Sequence, residues 1–232
     1  MIVAGVDDAG RGSVMGPLVI AGVSIEESRL NGLIDLGVKD SKLLSPSKRM
    51  KLYQLIRNIA HKISYLKIPP NEIDRYVILG RKFKKLNYLE AISMAKVIDE
   101  LGCDVVYVDA SDVDVNRFKE QISSMLKKDL KIFSLHHADR IYPIVSAASI
   151  IAKVERDLEI EKLKLKYGDF GSGYPSDPRT REFLIKWVEK YNAFPDDSRK
   201  SWKVWKKLTN KTLDLYTDFK KNFIQYSSKD TS

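Results

Sequence analysis

The chain has 232 residues, of which 44% are hydrophobic and 31% charged, and its formal net charge is +9. This composition is typical of a folded globular protein and excludes a disordered chain, and no apolar run reaches the ~20 residues of a membrane-spanning helix. The excess of positive charge favours a polyanionic partner such as nucleic acid, although it says nothing about the fold.

Cysteine content and the N-terminus bear on the location of the protein. Cys103 is the single cysteine, so the chain cannot form an internal disulfide bond. The N-terminus leads directly into an apolar segment and shows no secretory signal. With one cysteine and three histidines, a thiol-ligated zinc site is disfavoured. We therefore expect a cytoplasmic protein that is not associated with a membrane.

The N-terminal segment is predicted to form a buried strand followed by a tight turn. Residues 2–6 are an apolar run, and two adjacent carboxylates, Asp7 and Asp8, follow it. Because successive strand side chains point to opposite faces, the two can point the same way only if the backbone turns there. The sequence GRG at residues 10–12 permits such a turn. Carboxylates at the end of a core strand predict a divalent cation, although these two alone are equally typical of a solvated turn.

The remaining periodicity predicts an α/β fold. Further strands are predicted at residues 17–25, 63–68, 104–108 and 130–135, and helices at residues 46–61, 71–79, 87–101, 114–127, 143–166 and 179–191. The second strand should pair with the first through the glycine-rich turn. The fourth strand closely follows a helix, so it should lie parallel to a neighbour. This order predicts a five-stranded mixed sheet flanked by helices.

Two further acids follow predicted strands. Asp109 comes directly after the fourth strand, and Asp139 comes shortly after the fifth. Because open α/β sheets bind ligands at the carboxyl ends of their strands, we expect both acids to lie near Asp7 and Asp8. A lone Asp109 is equally typical of a solvated strand end, but four acids from three segments favour a site for divalent cations. Carboxylate oxygens suit Mg²⁺ or Mn²⁺.

The predicted helix at residues 143–166 begins with small side chains. Close packing on the sheet explains Ala147 and Ala148 well, but it explains Ser146 and Ser149 less well. Small residues also allow a ligand to approach the start of a helix, so both interpretations stay open.

The C-terminal segment combines aromatic and basic residues. Six cations and no acid lie at residues 199–211, and Trp202, Trp205 and Leu208 recur every third residue. This spacing predicts a helix whose apolar stripe packs on the core and whose basic face lies near a phosphate backbone. A second basic cluster, at residues 81–85, is more typical of a solvated loop. We find no clear sliding-clamp motif and no exposed apolar seam, which predicts a monomer.

Four motifs together resemble the signatures of type 2 ribonuclease H. They are DDAGRG at residues 7–12, DSK at 40–42, SAASIIAKVERD at 146–157 and GSGYPSDP at 171–178. They occur in the family's order, and the match extends from residue 1 to about residue 190. The resemblance is to the archaeal and bacterial single-chain form. It departs at Asp8, where the family has Glu.

The resemblance implies a fold and an activity. The fold would be ribonuclease H-like, with a catalytic domain at residues 1–190 and a basic helical region at residues 191–232 packed on it. The enzyme would hydrolyse the RNA strand of RNA–DNA hybrids and cut 5′ to single ribonucleotides in duplex DNA. A two-metal mechanism with Mn²⁺ or Mg²⁺ would leave 5′-phosphate and 3′-hydroxyl ends.

The resemblance also implies roles for individual acids. Asp7, Asp8 and Asp109 would bind the cations, and Asp139 would complete the site at the second ion. Asp8 is shorter than the family's Glu by one C–C bond of ~1.5 Å. It would therefore reach a cation only if the turn shifts, or through a water molecule.

The resemblance also implies which residues contact the substrate. The implied substrate-binding residues are Gly10, Arg11, Gly12, Ser41, Lys42, Ser146, Ser149 and Tyr174. The backbone of residues 10–12 would contact the ribose 2′-hydroxyl, Tyr174 would stack on the following deoxyribose, and Ser41 and Lys42 would hold phosphates.

Two other interpretations come from different classes. A nucleic-acid-binding protein with weak or no catalysis has only the Asp8 substitution in its favour. A type 3 ribonuclease H or an integrase-like enzyme would share the fold. The Tyr174 loop and the missing N-terminal substrate-binding domain argue against type 3.

Overall fold

The computed structural model describes residues 1–38, 44–80 and 85–229. Ser41 and Lys42 lie outside the described residues, as does most of the basic cluster at residues 81–85. The chain groups into two compact units. Unit 1 comprises Met1–Ala9, Val19–Lys67 and Asn87–Arg156, and unit 2 comprises Gly10–Leu18, Ile68–Leu86 and Asp157–Ser232. The division at residue 190 expected from the sequence stays a prediction.

A five-stranded mixed sheet is the centre of unit 1, as the sequence predicts. Its strands are β1 (Ile2–Ala9), β2 (Leu18–Glu26), β3 (Lys62–Ile68), β4 (Val105–Asp109) and β5 (Lys131–Leu135). Their order across the sheet is β3-β2-β1-β4-β5. β1 pairs antiparallel with β2 and parallel with β4, and β4 pairs parallel with β5. The carboxyl ends of β1, β4 and β5 therefore lie at the same edge of the sheet.

Helices flank the sheet in unit 1 and form most of unit 2. They are a 3₁₀-helix (Glu27–Arg29), α1 (Leu30–Asp35), α2 (Pro46–Ile59), α3 (Pro70–Leu79), α4 (Leu86–Leu101), α5 (Val115–Ser123), α6 (Ala138–Ile141), α7 (Pro143–Tyr167), α8 (Pro178–Tyr191), α9 (Trp205–Leu208) and α10 (Asn210–Lys229). Among the described helices, none is long and apolar enough to cross a membrane.

Side-chain caps explain where several helices begin. The Ser45 hydroxyl accepts a hydrogen bond from the Lys48 amide at 3.3 Å and precedes a proline, as the sequence predicts for α2. The Asp114 carboxylate caps α5 in the same way, and that of Asp177 caps α8. Each cap satisfies an amide that the first turn of a helix leaves unpaired.

The start of α7 packs directly on the middle of β1. A Cβ atom at Gly5 would lie 2.4 Å from the backbone carbonyl carbon and oxygen of Ile144, so only glycine fits there. Ala147 and Ala148 are fully buried in the same core. Close helix–strand packing therefore accounts for these two alanines at the start of the helix.

Three local predictions are wrong. β1 extends through both carboxylates to Ala9 and does not stop after residue 6, and α5 ends at Ser123, short of residue 127. A continuous helix at residues 199–211 is absent: residues 199–204 are not helical, and the helical residues of this segment belong to α9 and to the start of α10. In this segment the amides of Lys200 and Ser201 donate hydrogen bonds to the Asp74 carboxylate instead of to helical carbonyl groups.

Unit 2 has its own apolar core. Its buried members include Phe170, Leu184, Trp205 and Tyr216, contributed by a loop and by α8, α9 and α10. Trp205 is therefore a core residue, as its place in the predicted apolar stripe suggests.

Candidate active site

Three of the four predicted acids converge in unit 1. Asp7 on β1, Asp109 at the end of β4 and Asp139 on α6 each offer one carboxylate oxygen, and these oxygens lie within 4.8 Å of one another. The parallel pairing of β1 with β4 and of β4 with β5 brings the three segments to one edge. We call these three residues the acidic trio.

Asp8 is not a member of the acidic trio. Because β1 continues as a regular strand, Asp7 and Asp8 pair with successive residues of β2 and point to opposite faces. Asp7 is 5% exposed, whereas Asp8 is half-buried. The Ser111 hydroxyl donates a hydrogen bond to Asp8 Oδ1 at 3.3 Å. A direct metal contact from Asp8 stays a prediction.

Burial and neighbouring charge disfavour the ionised form of Asp7. Burial raises the pKa of the Asp7 carboxyl well above its ordinary value, and the charges of Asp8 and Asp109 raise it further. Hydrogen bonds from the Ser149 hydroxyl and from the Asp8 amide, at 2.7 Å, partly offset this rise. A bound cation would stabilise the ionised carboxylate in this setting.

The other two members of the trio show complementary features. Asp139 is 2% exposed, and its Oδ1 atom is buried without a hydrogen-bond partner among the described residues. Asp109 Oδ1 accepts a hydrogen bond at 3.0 Å from the amide of Ala138. Ala138 is the residue before Asp139. This bond fixes the start of α6 beside the end of β4. A buried carboxylate oxygen without a donor and an all-oxygen set of ligands both fit a hard divalent cation.

The two predicted serines of α7 are buried. Ser149 is fully buried and donates to Asp7, and Ser146 is almost fully buried one turn earlier on the same helix. Because they are three residues apart, the two serines lie on the same face of the helix. In the structure Ser149 orients an acid of the trio. Contact of either serine with substrate stays a prediction.

The predicted GRG turn lies in unit 2 and is closed by a backbone hydrogen bond. The Ser13 amide donates to the carbonyl oxygen of Gly10 at 3.1 Å, which closes a four-residue turn. Gly10 has a φ of 86°, in the region that favours glycine.

Unit 2 also brings this turn together with Tyr174. The carbonyl oxygen of Gly173 accepts hydrogen bonds from the Val14 amide at 2.8 Å and from the Ser13 hydroxyl at 3.1 Å. A Cβ atom at Gly12 would lie 4.0 Å from the Tyr174 ring. Two groups of predicted substrate residues, distant in sequence, are thus neighbours.

The sequence prediction missed Arg199 and Trp202 as partners of this turn. The prediction placed Arg199 on a basic face near a phosphate backbone, but the side chain is fully buried and donates to the carbonyl oxygen of Arg11 at 2.7 Å. Trp202 Nε1 donates to the carbonyl oxygen of Gly12 at 3.4 Å. Nothing in the local pattern distinguishes these two from the other basic and aromatic residues of the segment.

Comparison with known proteins identifies the family. The family model Ribonuclease HII matches residues 4–205. The chain belongs to the ribonuclease HII family. It is similar to ribonuclease HII of Pyrococcus abyssi (strain GE5 / Orsay), with 47% identity over 213 residues that cover 91% of this chain and 92% of that protein.

Solved structures agree with this assignment. The crystal structure of the ribonuclease H2 from Pyrococcus horikoshii OT3 has a TM-score of 0.83 and 45% identity, and the match covers 92% of this chain and 99% of that one. Ribonuclease HII in the PCNA:RNase HII complex from Archaeoglobus fulgidus has a TM-score of 0.79 and 42% identity, over 88% of this chain and 96% of that one. The ribonuclease H-like fold is confirmed, and the chain is an endoribonuclease of the ribonuclease H class.

Proposed function

We propose that this enzyme hydrolyses the RNA strand of RNA–DNA hybrids and cuts 5′ to single ribonucleotides in duplex DNA, leaving 5′-phosphate and 3′-hydroxyl ends. The observation that carries the proposal is the acidic trio, whose carboxylate oxygens lie within 4.8 Å of one another. Hydrolysis of a phosphodiester needs an activated water and compensation of charge on the phosphate. Clustered carboxylates with divalent cations are a common solution to both needs.

Asp7, Asp109 and Asp139 are the residues proposed to hold Mn²⁺ or Mg²⁺, and Asp8, at the adjacent position on β1, is proposed to add negative charge beside them. An oxygen of Asp139 has no hydrogen-bond partner in the part of the chain that the structure describes, and the pKa of Asp7 is raised; both support a cation at this place. When bound, such ions supply charge stabilisation at the scissile phosphate and a water nucleophile at neutral pH.

The surrounding groups keep the trio in position. The Ser149 hydroxyl and the Asp8 amide hold the Asp7 carboxylate, and the Ala138 amide holds that of Asp109. Fixed carboxylates need little rearrangement when a cation binds, and preorganised groups of this kind support catalysis.

Recognition of the ribose is proposed for the turn at residues 10–12 together with Tyr174. The 2′-hydroxyl distinguishes RNA from DNA, and backbone amides of a glycine-rich turn are suitable donors to it. The proximity of the Tyr174 ring to Gly12 supports a joint role. Ser41 and Lys42 are proposed as phosphate contacts.

The assembly and location of the enzyme stay predictions. We expect a monomer in the cytoplasm, without a clear sliding-clamp motif, although the related protein from Archaeoglobus fulgidus occurs in a complex with PCNA. Light scattering coupled to size-exclusion chromatography tests the monomer directly.

The test of function is a labelled DNA duplex that contains one ribonucleotide, incubated with the protein and Mg²⁺ or Mn²⁺. We expect a single cut on the 5′ side of the ribonucleotide, with a 5′-phosphate on the downstream fragment. Two results would overturn the proposal: a folded protein that cuts with neither ion, or a 2′,3′-cyclic phosphate product. The cyclic product would show attack by the ribose 2′-oxygen.

A further inference from the structure

We infer that Arg199 and Trp202 are positioning residues that hold the turn at residues 10–12 in the form that recognises a ribose 2′-hydroxyl. The inference rests on the substrate role proposed above for that turn. All the contacts that carry it lie within unit 2.

The Arg199 side chain links two points of the glycine-rich segment. Its Nη1 donates to the carbonyl oxygen of Arg11 at 2.7 Å, and its Nε and Nη2 each lie 3.4 Å from the carbonyl oxygen of Gly16. Its own backbone amide donates to the carbonyl oxygen of Val14 at 2.8 Å. One residue thus holds the turn and the segment that follows it.

The guanidinium of Arg199 is buried, which is consistent with a role in holding the backbone around it. Arg199 is 0% exposed, and removal of a cation from water costs free energy that carbonyl hydrogen bonds repay only in part. A guanidinium is planar and has five donors, so it can bridge two carbonyl oxygens. A lysine ammonium keeps the charge but has one donor nitrogen on a flexible stem, so it lacks the fixed, planar arrangement of donors.

Trp202 adds a third hydrogen bond to the same turn. Its Nε1 donates to the carbonyl oxygen of Gly12 at 3.4 Å, and its ring lies 4.8 Å from the Arg199 guanidinium carbon. The ring therefore supports Arg199 while its indole nitrogen holds the turn. Together the two side chains bind the carbonyl groups of both central residues of the turn.

The direction of these carbonyl groups sets the direction of the amides. In a planar trans peptide the N–H of a residue points opposite to the C=O of the residue before it. Because Arg199 holds the Arg11 carbonyl, the Gly12 amide points away from the Arg199 side chain. A donor fixed in this way can select a 2′-oxygen without a reorganisation cost.

The segment that carries both residues is itself anchored. The Asp74 carboxylate of α3 accepts hydrogen bonds from the Lys200 amide at 2.8 Å and from the Ser201 amide at 2.9 Å, and also from the Ser201 hydroxyl at 2.5 Å. Arg199 and Trp202 flank these residues, so their backbone position is fixed from outside the segment.

The test compares how each variant binds ribonucleotide-containing duplex and all-DNA duplex. Cleavage of the labelled ribonucleotide duplex gives KM, and competition by unlabelled DNA duplex of the same sequence gives Ki. The ratio of Ki to KM is the preference for the ribose. A loss of folded enzyme lowers the apparent kcat but changes neither KM nor Ki, so this ratio separates positioning from stability.

We expect Arg199→Gln to raise KM by at least about fivefold, the equivalent of one ordinary hydrogen bond between neutral groups, and to leave Ki within about twofold. Arg199→Lys should not restore the preference. Trp202→Phe keeps the ring but removes the donor, so it should lower the preference by about twofold to fivefold without a threat to folding. Arg75→Gln, an exposed charge on α3, is the matched control and should change nothing.

The outcomes separate this inference from the proposed function. If the wild-type enzyme does not cut the duplex or shows a ratio near one, the proposed function fails. If the wild-type enzyme prefers the ribonucleotide and both Arg199→Gln and Trp202→Phe keep that preference, only the positioning role is overturned. Full rescue by Arg199→Lys would also overturn it, because charge alone would then suffice.

Discussion

At the scale of single residues, the acidic trio follows from strand ends that the sequence makes visible. Asp7 and Asp109 each follow an apolar run, so their placement at one edge of the sheet is predictable once the strands pair in parallel. The separation of Asp8 from the trio is not predictable. It depends on β1 continuing past residue 6, which a local pattern of acids and glycines does not indicate. The hydrogen bond from Ser149 to Asp7 is not predictable either, because it depends on how α7 packs on the sheet.

The Asp7 environment predicts a pH-dependent stability of the metal-free protein. Because the native pKa lies above the unfolded one, the native state binds more protons in the pH range between them, and stability falls as pH rises through that range. Asp7→Asn should therefore raise the melting temperature by a few degrees at pH 7.5 with a chelator, and by little near pH 4.

Scanning calorimetry checks this expectation, with Asp129→Asn, an exposed acid of unit 1, as the control. Mn²⁺ should stabilise the wild-type protein more than the Asp7→Asn variant. A lower melting temperature for Asp7→Asn in chelator at pH 7.5 would show that the charge of Asp7 does not destabilise the metal-free fold.

The position of Asp8 predicts a graded effect on activity. Asp8→Asn should lower kcat on the order of tenfold, because Asp8 lies outside the trio and acts on it through its charge. Steady-state kinetics at saturating Mn²⁺ measures this. A loss as large as that of a trio variant would mean that Asp8 binds the cation directly.

At the scale of elements, the packing of α7 on β1 determines the position of the site. The same helix carries Ser149, so a shift of the helix would displace the Asp7 carboxylate. The contact between Gly5 and Ile144 leaves no room for a side chain.

This contact predicts a large effect of a small substitution. Gly5→Ala would bring its Cβ atom to 2.4 Å from the Ile144 backbone, and relief of such overpacking costs about 1–3 kcal/mol. We expect the melting temperature to fall by several degrees, measured by calorimetry. Gly32→Ala on α1, whose Cβ would meet the Ile59 side chain at the ordinary contact distance of 4.0 Å, is the control. An equal melting temperature for both variants would contradict the close packing.

Most elements were predictable because their signals are local. Apolar runs indicated the strands, and Ser45 with its following proline indicated the start of α2. The C-terminal segment was not predictable, since the amides of Lys200 and Ser201 bond to Asp74, which lies more than a hundred residues earlier. A periodicity of tryptophans cannot indicate such a distant partner.

At the scale of the whole molecule, the net charge of +9 predicts how the enzyme binds duplex. Neutralised phosphates release counterions, so the logarithm of the association constant should fall with the logarithm of salt concentration with a slope of roughly −3 to −5. Fluorescence anisotropy with an all-DNA duplex between about 50 and about 300 mM KCl (roughly a sixfold range that includes physiological salt) measures the slope. A slope shallower than about −1 would mean that basic residues contribute little to binding.

The central claim is that the acidic trio holds the cations on which cleavage depends. Its most direct test is the Asp109→Asn variant, assayed for both cleavage and binding of the duplex with one ribonucleotide in Mn²⁺. We predict that the cleavage rate falls by at least about a thousandfold while the dissociation constant stays within about threefold, because the variant loses a cation ligand but keeps the substrate contacts. Cleavage by Asp109→Asn at the wild-type rate would contradict the account.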